Sequence, residues 1–304
     1  MEYCLETVAL SKQYKNFKAL DGLNMHVPKG SIYGFVGKNG AGKTTLIRLI
    51  CGLQMPTGGE YKLYGVKNTD KEISKARRRI GAVVETPSIY MDMNARDNLI
   101  QQFTVLGIPS HDEIDNILEL VGLTGTGKKK AKDFSLGMRQ RLGIAIALCG
   151  NPDLLILDEP INGLDPQGII EIRELILKLN KEKDITFIIS SHILDELSKI
   201  ATNYGFIDGG VLVKEMSKEE LEKSCRKAIH VVVNDTRKLV MAMDEIKIEC
   251  DVISDTEADI FSDINISELV RILDKKGCEL IQTTQKDESL ESFYMNLVGG
   301  DKNE

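Results

Sequence analysis

Gly37-Lys38-Asn39-Gly40-Ala41-Gly42-Lys43-Thr44 follows the apolar run Ile32-Tyr33-Gly34-Phe35-Val36 and precedes Leu46, Ile47, Leu49 and Ile50, which have helical spacing. The order is strand, glycine-rich loop, helix, and the loop fits G-x-x-x-x-G-K-[ST]. Glycines let backbone N–H groups turn inward onto phosphate oxygens, and the positive end of the next helix favours the same anion. Gly37, Asn39, Gly40, Ala41, Gly42 and Thr45 are the expected cradle. Lys43 is expected on the β- and γ-phosphates, and the Thr44 hydroxyl on Mg²⁺.

Leu154-Leu155-Ile156-Leu157 is a continuous apolar run that ends in Asp158-Glu159. Acidic residues at the carboxyl end of a buried strand lie where open α/β sheets bind ligands. Asp158 is expected to hold Mg²⁺ through a water, and Glu159 to orient or deprotonate the attacking water. A second apolar run, Thr186 to Ile189, leads to His192 at the same sheet edge. Both runs read as parallel strands buried on two faces. The helix between them has Asp165 as cap, Pro166 in its first turn, and Ile169, Ile172, Ile176 and Leu179 on one face. This is an α/β architecture.

Short strands are predicted at 5–10, 23–27 and 80–84. Residues 91–150 carry no strand signal and read as helices at 98–106, 112–121 and 136–149, a helical insertion over about 86–150 of the kind that length and periodicity allow. After Met216 come a charged helix, 218–227, a strand 229–233, a helix 236–244, strands 247–253 and 258–261, a helix 267–275 and a strand 278–284. This βαββαβ order, with a terminal helix over 290–298, suggests a small α+β ferredoxin-like domain. Residues 1–224 hold 29 basic and 29 acidic side chains, while 225–304 hold 10 and 17. The net charge of −7 therefore belongs to 225–304, read as a separate accessory or regulatory domain.

With 304 residues, 28% charged and 42% hydrophobic, the chain has a soluble globular composition. The acidic balance, the absence of Trp and the 5% aromatic content argue against a nucleic-acid binder. The runs Arg77 to Arg79 and Lys128 to Lys130 read as solvated faces without aromatic neighbours. The six cysteines form no C-x-x-C pair and are expected as reduced thiols. Residues 1–16 lack a signal-peptide layout, so the chain is expected in the cytoplasm. The longest apolar stretch, 142–149, is under half of the roughly 20 residues needed to span a bilayer, so another chain would supply any span.

Phe134-Ser135-Leu136-Gly137-Met138, Asn162-Gly163-Leu164-Asp165 and Ser190-Ser191-His192 follow in the order of the signature, D-loop and H-loop of the ATP-binding cassette (ABC) family, which the first 220 or so residues resemble. The resemblance implies head-to-tail pairing with a second cassette, identical or different. Each nucleotide would then lie between one phosphate loop and the partner's signature, here Ser135 and Gly137. Ser135 can also cap the helix that starts near Leu136. The resemblance puts His192 at the γ-phosphate as a catalytic group beside Glu159 and Lys43. It gives Tyr14 as the adenine-stacking aromatic, with Phe17 as competitor.

Glu85 stands where the family usually has a Gln that contacts Mg²⁺ and water. It makes a stronger metal ligand but no hydrogen-bond donor. Glu85→Gln is expected to alter metal dependence and coupling more than nucleotide affinity. This Glu, residues 134–143 and Ser289-Leu290-Glu291 resemble ATP-binding subunits of bacitracin-resistance and lantibiotic-immunity exporters. An ATPase peripheral to the membrane, serving a separate integral permease that exports a peptide antibiotic, is implied. The competing class is a soluble ABC ATPase acting on nucleic acid or ribosomes. Those relatives carry a coiled-coil insertion or two cassettes, and this chain has one cassette and no sustained heptads.

Overall fold

The computed structural model describes residues 2–225, 228–262, 264–286 and 290–299. The chain divides into two compact units, Met1–Lys218 and Glu219–Glu304. The division falls after the first residue of the charged helix, whereas the step in charge lies at the helix end.

The first unit opens with a hairpin of β1 (Tyr3–Tyr14) and β2 (Phe17–Pro28). Both strands are longer than predicted. Register shifts between Thr7 and Leu10 and between Leu10 and Lys12 interrupt the apolar alternation, so only the strand centres are legible as periodicity. β3 (Ile32–Val36) runs through the glycine loop into α1 (Lys43–Ile50). β4 (Gly58–Leu63) and β5 (Val66–Lys67), unforeseen in the sequence, complete an antiparallel sheet of order β2-β1-β4-β5. α2 (Ile73–Arg77) leads into β6 (Ile80–Val83).

The helical insertion holds α3 (Ala95–Leu106), α4 (Glu113–Leu120) and α5 (Leu136–Leu148), close to the predicted ranges. β7 (Leu154–Asp158), α6 (Pro166–Lys183), β8 (Thr186–Ser191), α7 (Leu194–Ser198), β9 (Asn203–Asp208) and β10 (Val211–Ser217) follow. The second sheet has the order β10-β9-β3-β8-β7-β6, with β9, β3, β8, β7 and β6 parallel and β10 antiparallel at the edge.

α1 lies between the two sheets. Its Leu46, Ile47, Leu49 and Ile50 are buried in one core with Leu5, Leu23 and Met25 of the antiparallel sheet and Phe35, Ile156 and Ile188 of the parallel one. Four of its eight residues, Leu46, Ile47, Leu49 and Ile50, are apolar and buried, while Lys43, Thr44, Thr45 and Arg48 are polar. Each buried apolar side chain contributes roughly 1.5–3 kcal/mol by burial, so the helix that follows the glycine loop is firmly seated.

The run Arg77 to Arg79 is not a plain solvated face. Arg77 donates to the Tyr61 hydroxyl at 2.5 Å, and Arg79 pairs with Asp153 at 2.5 Å while its guanidinium stacks 3.6 Å from the Tyr64 ring. Lys129 also has an aromatic neighbour, Phe134, at 5.9 Å. Tyr61 comes from β4 and Tyr64 from the turn after it, each about 15 residues before its arginine.

In the second unit, α8 (Lys218–Ser224) stops short of the predicted end, and Lys227 lies outside the described residues, as does Ser289. β11 (Ala228–Val233), α9 (Thr236–Glu245), β12 (Cys250–Val252), β13 (Glu257–Ile260), α10 (Ile266–Lys275), β14 (Leu280–Lys286) and α11 (Leu290–Gly299) follow. The antiparallel sheet has the order β12-β13-β11-β14. β12 is shorter than predicted because Lys247 takes a positive φ of 56°, which breaks the extended run. Leu239, Ala242 and Met243 of α9 and Leu269 and Leu273 of α10 pack on Ile229, Val231 and Val233, giving this unit its own core.

All six cysteines are free, and burial pushes the thiols of Cys4, Cys51 and Cys149 up to about 12. Among the described residues no helix is long and apolar enough to cross a membrane.

Candidate active site

Parallel pairing sets four loops at one edge of the sheet. Val36 lies opposite Ser191, Asp158 opposite Ser190, and Val83 opposite Leu157. The segments carrying Gly37 to Thr44, Asp158-Glu159, His192 and Glu85 therefore leave the sheet together, at the carboxyl ends of β3, β7, β8 and β6.

The glycine loop has the backbone that its sequence anticipates. Gly40 takes φ +83° and Gly42 φ +112°, and a Cβ at Gly42 would stand 2.5 Å from the Ala19 carbonyl oxygen. Only glycine adopts this path without strain. Gly42 is also the N-cap of α1 and supplies no side-chain acceptor. The first-turn N–H groups of α1 are thereby left for an anion.

Lys43 is only 6% exposed. Its Nζ folds back to donate to the Gly37 carbonyl at 2.5 Å and stands 3.2 Å from Glu159 Oε1. The Thr44 hydroxyl donates to Asp158 Oδ2 at 2.9 Å, and the Ser190 hydroxyl donates to Asp158 Oδ1 at 2.5 Å. Asp158 is buried with both oxygens satisfied, which fixes the carboxylate beside Thr44.

Glu159 takes φ 49°, a conformation that costs roughly 1–3 kcal/mol for a residue with a Cβ. Its N–H donates to the Ser190 carbonyl at 3.2 Å and to the Ser190 hydroxyl at 3.0 Å, so β8 holds the strained residue in place. Glu159 Oε2 is 2.8 Å from His192 Nδ1. Oε1 is buried and accepts no hydrogen bond, and its contact with Lys43 is one of charge alone. That oxygen keeps a free acceptor position for a water or a ligand hydroxyl.

Beside it lies a cleft of about 300 Å³ lined by Phe17, Ala19, Lys38, Asn39, Gly40, Gly42, Lys43, Thr44, Thr45 and Glu159. The uncapped start of α1 and one buried cation fit a polyphosphate, and the orphaned carboxylate oxygen, which accepts only, fits a water beside it. A hydroxyl and a carboxylate, Thr44 and Asp158, make the small oxygen set that suits Mg²⁺ when phosphates and water supply the remaining positions.

Several expected site residues lie outside this lining. Phe17, not Tyr14, lines the cleft. The Tyr14 hydroxyl is engaged by Gln54, and Lys12 Nζ lies 5.2 Å from its ring centroid. Glu85 is exposed, and its Oε1 pairs with Arg48 of α1. Gly37 holds Lys43 through its carbonyl, and Ala41 is buried with its carbonyl accepting from Gly210 N–H; both support the loop rather than line the cleft.

Ser135 and Gly137, expected at a partner cassette's nucleotide and not at this one, lie outside the lining. Ser135 caps α5, its hydroxyl accepting from Met138 N–H at 3.2 Å. Sequence reasoning missed Ser190 as the anchor of Asp158 and Glu159, and Arg48 as the partner of Glu85. Neither had a local signal, because each acts across strands or from a helix to a strand end.

The family model described as "ABC transporter" matches residues 20–162. The chain is 42% identical over 303 residues to the bacitracin transport ATP-binding protein BcrA of Bacillus licheniformis, covering 99% of each. It is 43% identical over 206 residues to the lantibiotic transport ATP-binding protein SrtF of Streptococcus pyogenes, covering 68% of this chain and 87% of that one. Among solved structures, the ATP-binding cassette MJ0796, a dimer in a post-hydrolysis state bound to ADP and Pi, matches with a TM-score of 0.63 at 25% identity, over 70% of this chain and 98% of that one. Sequence likeness over the full length, the shared cassette fold and the phosphate loop together establish that the chain belongs to the ATP-binding subunits of ABC transporters, a family of ATPases.

Proposed function

We propose that this chain hydrolyses ATP to power a separate membrane permease that exports a peptide antibiotic of the bacitracin or lantibiotic type. The observation that carries the catalytic part is Glu159. One of its oxygens is held by His192, and the other, without a hydrogen bond, faces Lys43 and the phosphate loop. A carboxylate so placed takes the proton of a water attacking the γ-phosphate, while Lys43 and His192 stabilise the charge that develops.

Thr44 and Asp158 would hold Mg²⁺, which when bound neutralises phosphate charge. Asn39, Gly40, Gly42 and Thr45 bind the phosphates, and Phe17 packs on the base. Ser135 and Gly137, at the N-terminal end of α5, would face the nucleotide of a second cassette, whose γ-phosphate the helix dipole favours. The dimeric MJ0796 cassette supports such pairing. The full-length likeness to BcrA supports the transported class. The working place is the cytoplasmic face of the membrane, on the permease. Residues 225–304, with βαββαβ order, act as a ferredoxin-like accessory domain. The decisive experiment is to co-purify the chain with its permease from membranes and express the pair in sensitive cells. Unchanged sensitivity to bacitracin and to lantibiotics would remove the substrate assignment.

A further inference from the structure

β8 ends at Ser191 and α7 begins at Leu194, so His192 lies between the end of a paired strand and the start of a five-residue helix. The strand end is locked. Ser191 stands opposite Val36 of β3, and its hydroxyl accepts from Ile193 N–H at 2.9 Å. α7 is too short to hold its place by helix propensity, and no side chain caps its start. What α7 packs on therefore decides where the second end of the His192 segment lies.

Two contacts seat α7. Leu197 is buried over Gly34 of β3, where a Cβ would stand 2.6 Å from Leu197 Cδ2, so the missing side chain of Gly34 is what admits the leucine. On the α6 side, Arg173 Nη1 donates to Glu196 Oε2 at 3.2 Å, and the two side chains are only 24% and 21% exposed. The other Glu196 oxygen meets Lys199, at the end of α7 itself, which leaves Arg173 as the cation that reaches Glu196 from another element. Ile169 and Ile176 lie one turn to either side of Arg173 on α6, and with Leu197 and Ile200 they border the same apolar cleft. Apolar neighbours of this kind screen an ion pair less than open water does.

From this we infer that Arg173 is a positioning residue: by holding Glu196 it seats α7 on α6 and fixes the reach of His192 toward Glu159. The inference rests on the catalytic roles proposed above for Glu159 and His192. Misplacing a reacting group by about 1 Å can cost 10²-fold in rate, even when the altered contact is far from the chemistry. Contacts that lock the supporting element guard against such a displacement.

The test uses the full chain, with phosphate release followed in single turnovers and affinity followed with a fluorescent ATP analogue. Arg173→Ala should slow hydrolysis by about 5- to 30-fold, part of the loss that such a displacement brings, and leave analogue affinity within about twofold. Glu196→Gln, which keeps the shape and removes the charge, should do the same. Arg173→Lys should restore most of the rate. In His192→Ala protein, Arg173→Ala should slow hydrolysis by less than about twofold, because the group it positions is gone. Equal slowing with and without His192, a loss of affinity in step with the rate, or no slowing by Arg173→Ala and Glu196→Gln would each overturn the positioning role while leaving the catalytic assignments standing. Unchanged hydrolysis in His192→Ala protein would instead overturn the catalytic role of His192, and the positioning role with it.

Discussion

His192 Nδ1 stands 2.8 Å from Glu159 Oε2, across the boundary between two neighbouring parallel strands. The two side chains form a single unit, because Glu159 is strained and anchored through Ser190, and His192 follows two residues after Ser190 on the same strand exit. Movement of one is transmitted to the other.

Glu159→Gln keeps size and hydrogen bonding but removes the base. ATP binding should persist, dimers should accumulate with ATP, and kcat should fall by about 10²–10⁴-fold. Phosphate release and size-exclusion chromatography check this, and substantial steady-state turnover would refute the assignment.

His192→Ala leaves Glu159 Oε2 without its partner. Turnover should fall by about 10²-fold or more while ATP affinity changes little. Because the two act as a unit, the same change in Glu159→Gln protein should cost far less, as a comparison of single and double variants by single-turnover kinetics would reveal.

Phe17→Ala should weaken nucleotide binding by about 1–3 kcal/mol, the loss of one stacking surface. Tyr14→Ala should weaken it less, since Tyr14 lies outside the cleft lining. Titration of both variants with a fluorescent ATP analogue separates them, and the reverse order would reinstate Tyr14.

Ser135→Ala removes the hydroxyl that accepts from Met138 N–H, and the loss of an N-cap costs about 1 kcal/mol. Urea unfolding of the monomer measures that cost. ATP-driven dimerisation should weaken by more, if Ser135 also meets the partner's nucleotide; equal losses in the two measurements would confine it to capping.

Cys4 and Cys149 have thiols raised from 9.0 to about 12 by burial. Below pH 9 both folded and unfolded chains keep these protons, so the contribution to stability is fully present. Between pH 9 and 12 the unfolded chain loses protons that the folded chain retains, and stability falls as pH rises. Urea midpoints measured from pH 8.5 upward, an order-of-magnitude window set by ordinary thiol titration, should decline less steeply in Cys4→Ala and Cys149→Ala.

The glycine loop, the apolar strand before Asp158 and the apolar strand before His192 were legible in the sequence because each is local. Gly40 and Gly42 require glycine for their own backbone angles, and β7 and β8 are continuously apolar because both faces are covered. α5 and its Ser135 cap were legible for the same reason. Hidden from the sequence were β4 and β5, whose residues are polar at the exposed positions, and the aromatic partners of Arg77 and Arg79.

The sequence by itself determined that a phosphate loop joins a strand to a helix, and that an acidic pair and a histidine close two further strands. Which side chains meet was decided only by tertiary structure. Parallel register sets Asp158 against Ser190, strain turns Glu159 toward His192 and Glu85 toward Arg48, and hairpin pairing brings Phe17 rather than Tyr14 to the cleft. Such pairings depend on distances between segments far apart in the chain, which burial of α1 between two sheets fixes and no local pattern encodes.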